Sequence, residues 1–267
     1  MSFVEQIFAL ALAAGILGLD ATAALQTMAS RPLVAGGLAG YLLGDFGSGL
    51  AAGSLVELLW MGGVPVGSLV PPDGTSAALF AAAVTIFLPR WVPGPDPMAA
   101  ASLALLAAVP VGSLGAKAEI LQRRLCDHLS RSAEKGIAAG RAHAVILALA
   151  GGILLAFSRS FFVVLLALGL GVPALAQLFS QLPADAIQAL HWGYWLAWLL
   201  GLAVAGNYFW ERRSLKYLGL VLVAMAVTGS RPGVSQAQLF SAALITALVG
   251  GLWRWRRAWL ASQEDGL

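Results

Sequence analysis

Charge is what this sequence has least of. Asp, Glu, Lys and Arg make up only 11% of its 267 residues, against about 25% in soluble globular proteins. A chain so poor in charge cannot cover itself with polar surface in water. A soluble enzyme, a disordered tail and a nucleic-acid-binding module are thereby excluded. Cysteine is nearly absent too. Cys126 is the single one, so no intrachain disulfide forms and a secreted disulfide scaffold is ruled out. That cysteine and three histidines form no cluster with metal-ligand spacing. There is no Ser/His/Asp order and no glycine-rich phosphate loop, so no catalytic nucleophile, metal or cofactor is expected. The first apolar run, residues 3–19, lacks the basic residues that precede a secretory signal. It reads as a retained membrane segment.

What the chain has is apolar. Hydrophobic residues reach 59% and the mean hydropathy is +0.82. The expected class is an all-α, polytopic membrane protein. The net charge of +3 sits in short clusters between apolar runs, a pattern that sets membrane orientation. Three parts follow. Residues 1–114 form a glycine-rich membrane half, residues 115–143 a polar segment, and residues 144–267 a second membrane half.

The polar segment carries Lys117, Arg123, Arg124, Arg131, Lys135 and Arg141. Ile120, Leu121, Leu125 and Leu129 recur at three- or four-residue spacing, which makes it an amphipathic helix. Six basic residues so close together place it on the cytoplasmic side. Two more basic clusters, Arg212 with Arg213 and Lys216, and Arg254 with Arg256 and Arg257, belong on that side by the same rule. Residues 144–172 then cross once, with a break near Ser158-Arg159-Ser160, and 173–190 is an outer loop. Residues 191–209, 215–229 and 238–253 cross in turn, and the C-terminus is cytoplasmic.

In the first half, residues 3–25, 75–88 and 98–114 read as helices. Residues 31–74 are apolar but hold eleven glycines from Gly36 to Gly74, with Pro65, Pro71 and Pro72 near their end. Short apolar segments interrupted by Gly and Pro point to a transporter's binding site. Irregular backbone at membrane depth is tolerated where it is buried or lines a cavity. Residues 31–74 are therefore expected to be broken or re-entrant helices around a polar cavity. The four-residue spacing of Gly36, Gly40, Gly44 and of Gly49, Gly53 suits close helix packing.

Five acids fall in residues 1–89: Glu5, Asp20, Asp45, Glu57 and Asp73, with Arg31 the only base before Arg90. Glu57 is apolar-flanked on both sides, so its carboxylate is costly unless paired, protonated or facing water. A carboxylate also accepts strong hydrogen bonds from neighbouring hydroxyls, the chemistry of a sugar site. Candidate substrate-binding residues are Glu57, Asp73, Asp20, Arg31 and, as a ring to stack on, Trp60. Asp73 also suits an N-cap for the helix after it. Arg31 suits a partner for one carboxylate. Asp45 suits a loop end.

The run Arg31-Pro32-Leu33-Val34, then Gly44-Asp45, then Gly53-Ser54-Leu55-Val56-Glu57, then Pro71-Pro72-Asp73 resembles the membrane subunit IIC of the mannose/sorbose-type sugar phosphotransferase system (PTS). Leu182-Pro183 and Ala189-Leu190-His191-Trp192-Gly193 add a weaker similarity. The resemblance implies a permease subunit that binds and translocates a hexose or amino sugar in the bacterial inner membrane. It implies a membrane partner, IID, and cytoplasmic IIA and IIB phosphocarriers, or a fused IIAB, with several copies in the complex. Glu57 matches the family's intramembrane glutamate and Asp73 its Pro-Asp aspartate. Two other readings of the residues stay open. One is a sensing or scaffolding membrane subunit. The other is an ion-coupled secondary transporter with Glu57 as proton carrier.

Overall fold

In the computed structural model of the chain, the residues described are 2–24, 26–61, 70–92, 94 and 96–209. Their regular structure is helical throughout: α1 (Phe3–Thr22), α2 (Pro32–Leu43), α3 (Phe46–Trp60), α4 (Gly74–Trp91), α5 (Pro97–Ala138), α6 (His143–Ser180) and α7 (Ala184–Phe209). Two compact units are distinguished, Met1–Val204 and Ala205–Leu267. The first holds α1 to most of α7. Of the second, the described residues reach only Phe209.

Four of the helices, α1, α3, α4 and α5, begin where the sequence supplies a side-chain cap. Ser2 and Glu5 form a reciprocal capping box at α1. Asp45, Asp73 and Asp96 precede α3, α4 and α5, and each accepts a backbone N–H of the first turn, from Ser48, Ser76 and Met98. Pro32 opens α2 with its φ already helical. Gly44 ends α2 at φ 78°, a left-handed position that favours glycine.

α2 and α3 fold back on each other as a hairpin. At 12 and 15 residues they are about 18 and 22 Å long, short of a hydrocarbon core of about 30 Å. Such short helices are what was expected within residues 31–74, of which 62–69 lie outside the described residues. Glycine makes the hairpin possible. A Cβ on Gly36 would lie 2.5 Å from the Cα of Gly53, and one on Gly40 would lie 2.9 Å from the Cα of Gly49. The two backbones touch. α4 lies behind the hairpin, and its run Ser76–Val84 is wholly buried. It packs on α2, α3, α5 and α6 and carries the core.

Two expectations are corrected. α6 does not break at Ser158-Arg159-Ser160; it runs unbroken from His143 to Ser180. Arg159 stays in the helix because Glu119 of α5 accepts its guanidinium at 2.9 Å, and its side chain is only 6% exposed. A partner, not a bend, accommodates the charge. The stretch 173–190 is mostly helix rather than loop. α6 continues through Pro173, and α7 starts at Ala184. The polar stretch after residue 115 is the second half of α5, which passes that point without interruption.

Among the described residues, α1, α5, α6 and α7 are long and apolar enough to cross a membrane. The expected crossings 215–229 and 238–253 lie outside the described residues.

Candidate functional site

Asp20 stands in the last turn of α1. Its Oδ1 accepts from the Thr27 amide and hydroxyl, each at 2.7 Å, and its Oδ2 accepts from the Ser30 amide at 3.0 Å. It is 8% exposed, so it organises the α1–α2 connection from within. Ser30 continues the chain of contacts, since its carbonyl accepts the Thr75 hydroxyl of α4.

The next residue, Arg31, sits at the cap of α2. Its guanidinium donates to Glu57 Oε1 at 3.1 Å, and the Leu33 amide donates to Oε2 at 3.3 Å. A carboxylate from the last turn of α3 thus closes onto the N-terminus of α2, where backbone donors and the helix dipole favour an anion. The Glu57 side chain is 20% exposed and that of Arg31 56%. Among the described residues, both keep unused capacity. A carboxylate offers about four acceptor positions and a guanidinium five donors.

Asp73 caps α4. Its oxygens accept from the Ser76 amide at 3.1 Å and hydroxyl at 2.7 Å. Its own amide donates to the Gly112 carbonyl of α5 at 2.9 Å. Gly115 passes so near that a Cβ there would lie 2.5 Å from Asp73 Cβ. Pro32 rests on Gly74 in the same way. The end of α1, the start of α2, the end of α3 and the start of α4 therefore meet at one junction. It gathers Asp20, Arg31, Glu57 and Asp73. Trp60 lies one turn beyond Glu57 and packs partly on the core.

The opposite end of the hairpin carries other polar groups. Arg90 donates to the Leu43 carbonyl at 2.9 Å. Asp96, before α5, meets His191 Nδ1 of α7 at 2.5 Å. Burial opposes the Asp96 charge, but the His191 contact and the Met98 and Ala99 amides outweigh it and hold the carboxyl below its usual range. A cavity of about 390 Å³ lies beside this pair, lined by Gln188 and Trp192 among others.

Sequence reasoning found the four junction residues but missed what fixes them. Thr27 and Ser30 were readable as polar groups shortly after Asp20. Thr75, Gly112 and Gly115 gave no signal of their role, because it depends on contacts between distant segments. The Glu119–Arg159 and Asp96–His191 pairs were hidden for the same reason.

The comparisons with known proteins agree on a family. The family described as PTS system sorbose-specific IIC component matches residues 4–250. The PTS mannose-specific EIIC component of Escherichia coli (strain K12) is 24% identical over 220 residues, 78% of this chain and 79% of that one. An N-acetylgalactosamine permease IIC component 2 of the same strain is 44% identical over 68 residues. That match covers 26% of this chain, and the chain spans 50% of that relative's length. Two solved structures share the fold. One, described as a membrane protein, has a TM-score of 0.59 at 20% identity over 93% of this chain and 95% of that one. The other is the mannose transporter ManYZ in complex with microcin E492, with a TM-score of 0.52 at 19% identity over 92% of this chain and 93% of that one. With 247 of 267 residues inside the family match, the chain belongs to the sorbose-type IIC family and is a multi-pass membrane permease subunit of a sugar phosphotransferase system.

Proposed function

We propose that this subunit binds a hexose or amino sugar at the four-helix junction and carries it across the membrane for phosphorylation by a IIB partner. The observation that carries the reading is the Arg31–Glu57 pair, which holds a carboxylate and a guanidinium side by side with unused acceptors and donors. Sugar hydroxyls both donate and accept, so such a pair serves one hydroxyl edge from both sides. Asp73 is the second carboxylate, and Trp60 supplies a ring on the same helix end. Asp20 holds the connection that positions Arg31. The relatives' names favour mannose or N-acetylgalactosamine as the first substrates to test.

The second half of α5, with its basic residues, faces the cytoplasm, where it meets the phosphocarriers. A IID subunit completes the complex in the bacterial plasma membrane, and IIA and IIB, or a fused IIAB, deliver phosphate. Several copies of the chain assemble in it.

The test is phosphoenolpyruvate-dependent sugar phosphorylation by membranes holding this chain, its IID partner and soluble phosphocarriers. Glu57→Gln keeps the shape but replaces charge-assisted hydrogen bonds by neutral ones, a loss of about 1–2 kcal/mol, or roughly 5- to 30-fold in apparent affinity. Unchanged affinity in a folded Glu57→Gln complex would sink the assignment. Uptake without phosphocarriers, abolished by an uncoupler, would favour the ion-coupled reading.

A further inference from the structure

A second polar cavity, of about 520 Å³, lies between α3, α4, α5 and α7 at the Asp45 end of the hairpin. Its lining follows α3 from Asp45 to Leu55 but includes none of the junction's Asp20, Arg31, Glu57 and Asp73, so the polar groups of the two places are different. Its polar lining comes from Asp45, Ser48, Thr85, Arg90 and Tyr194. We propose that it is a second binding site for an uncharged polyhydroxylated solute, at the end of the hairpin opposite the junction. The proposal rests on the sugar-transport reading above for its choice of ligand.

Three observations carry it. The first is the Thr85 hydroxyl. It is buried and has no hydrogen-bond partner among the described residues. Hydroxyls in helices usually bond back to the carbonyl four residues earlier, as Ser54 and Ser113 do here. Thr85 itself lines the cavity, and a turn about its Cα–Cβ bond to another staggered position would offer this orphaned hydroxyl to a group that the cavity receives. The second is charge. Asp45 and Arg90 line the same space with opposite signs, so a neutral solute is favoured over an ion. Asp45 is engaged by the Ser48 amide and side chain, and Arg90 spends one donor on the Leu43 carbonyl. Acceptors and donors remain for hydroxyls on both sides. The third is size and shape. The volume falls within the range of small-molecule sites, and the apolar part of the wall includes the Tyr194 ring. A lipid tail would match neither the remaining hydrogen-bonding positions of Asp45 and Arg90 nor the Thr85 hydroxyl.

Protection from labelling tests this without relying on turnover. Ser48→Cys is placed in a Cys126→Ser background, in membranes holding the complete complex. Maleimide labelling is followed with D-mannose or N-acetyl-D-galactosamine and with potassium chloride of equal osmolarity. Sugar is expected to slow labelling, and to do so equally when Glu57→Gln is added. Thr85→Val, nearly isosteric and expected to fold, should weaken the protecting sugar's half-effect concentration about fivefold, as loss of one hydrogen bond predicts. Labelling indifferent to a sugar that the same complex phosphorylates would overturn the proposal. So would protection that disappears with Glu57→Gln, since that would report the junction. Protection that persists where no sugar is phosphorylated would uphold this site and refute the transport reading.

Discussion

Replacing Glu119 with leucine should strand Arg159. That side chain is 6% exposed and its partner carboxylate 17% exposed; its Nε has no hydrogen bond among the described residues, and Nη2 reaches only the uncharged Ser160 hydroxyl, at 3.3 Å. Removing one member of a buried pair leaves an uncompensated charge and costs about 3–5 kcal/mol. Glu119 also accepts from Arg123 at 2.6 Å, four residues along α5. Arg123 is 57% exposed, so the loss of that surface pair adds only about 0.3–0.5 kcal/mol. Replacing both Glu119 and Arg159 with leucine removes the charges together. Apolar substitution of a whole buried pair is often neutral, so the double variant should stay within about 1–2 kcal/mol of the parent. At about 2–4 °C per kcal/mol for a chain of this size, the single variant should melt roughly 6–20 °C lower, and the double variant should recover most of that. Thermal melting of the solubilised complex, read by size-exclusion chromatography, measures both. A double variant as unstable as Glu119→Leu would refute the argument that the pair exists to neutralise Arg159.

Three more outcomes follow from the same geometry. Gly53→Ala places a Cβ 2.6 Å from the Pro32 carbonyl oxygen and 2.9 Å from the Gly36 Cα; the backbone cannot yield, so folded protein should fall by about 1–3 kcal/mol or more in melting assays. Gly115→Ala pushes on Asp73 rather than on a flexible side-chain tip, so it should lower sugar affinity more than it lowers the melting temperature. Asp96 is held below its usual carboxyl range, with burial opposed by the His191 contact and the first-turn amides. Its stabilisation is therefore full above the unfolded pKa of about 3.9 and is lost as pH falls through the folded value. The melting gap between the parent and Asp96→Asn should narrow as pH falls below about 4; a gap that keeps widening below that pH would contradict the assigned contacts.

The helical class and the membrane setting were legible because they follow from composition, which needs no folding. The α2–α3 hairpin was legible because glycine at four-residue spacing has one common use, the close approach of two backbones. Asp73 was readable as a helix start from local chemistry, whereas Asp45, expected at a loop end, is the N-cap of α3. The misread break at Ser158-Arg159-Ser160 shows the opposite case. A charge in an apolar run is costly alone, and the sequence alone does not reveal that Glu119, forty residues earlier, removes that cost. The outer loop assigned to 173–190 failed because it was read from charge, Asp185 with no basic residue, and charge reports the side of the membrane rather than helicity. In a packed membrane helix, neighbours and local adjustments re-satisfy the carbonyl that proline frees. For the junction, the carboxylates were found by their oddity, whereas Ser30–Thr75 and Asp73–Gly112 are products of topology.

α5 runs 42 residues without a break, about 63 Å and twice the thickness of the hydrocarbon layer. It touches the Asp96–His191 contact at its start, Asp73 through Gly112 and Gly115 near its middle, and Arg159 through Glu119 beyond that. A rod held at such points works as a lever. A tilt of about 5° about one end carries the other through about 5 Å, by simple proportion to its length. Small rearrangements at the Asp96 end are thus geometrically amplified at the basic tip, while the Gly112–Gly115 stretch that meets Asp73, close to the middle of α5, travels only about half as far.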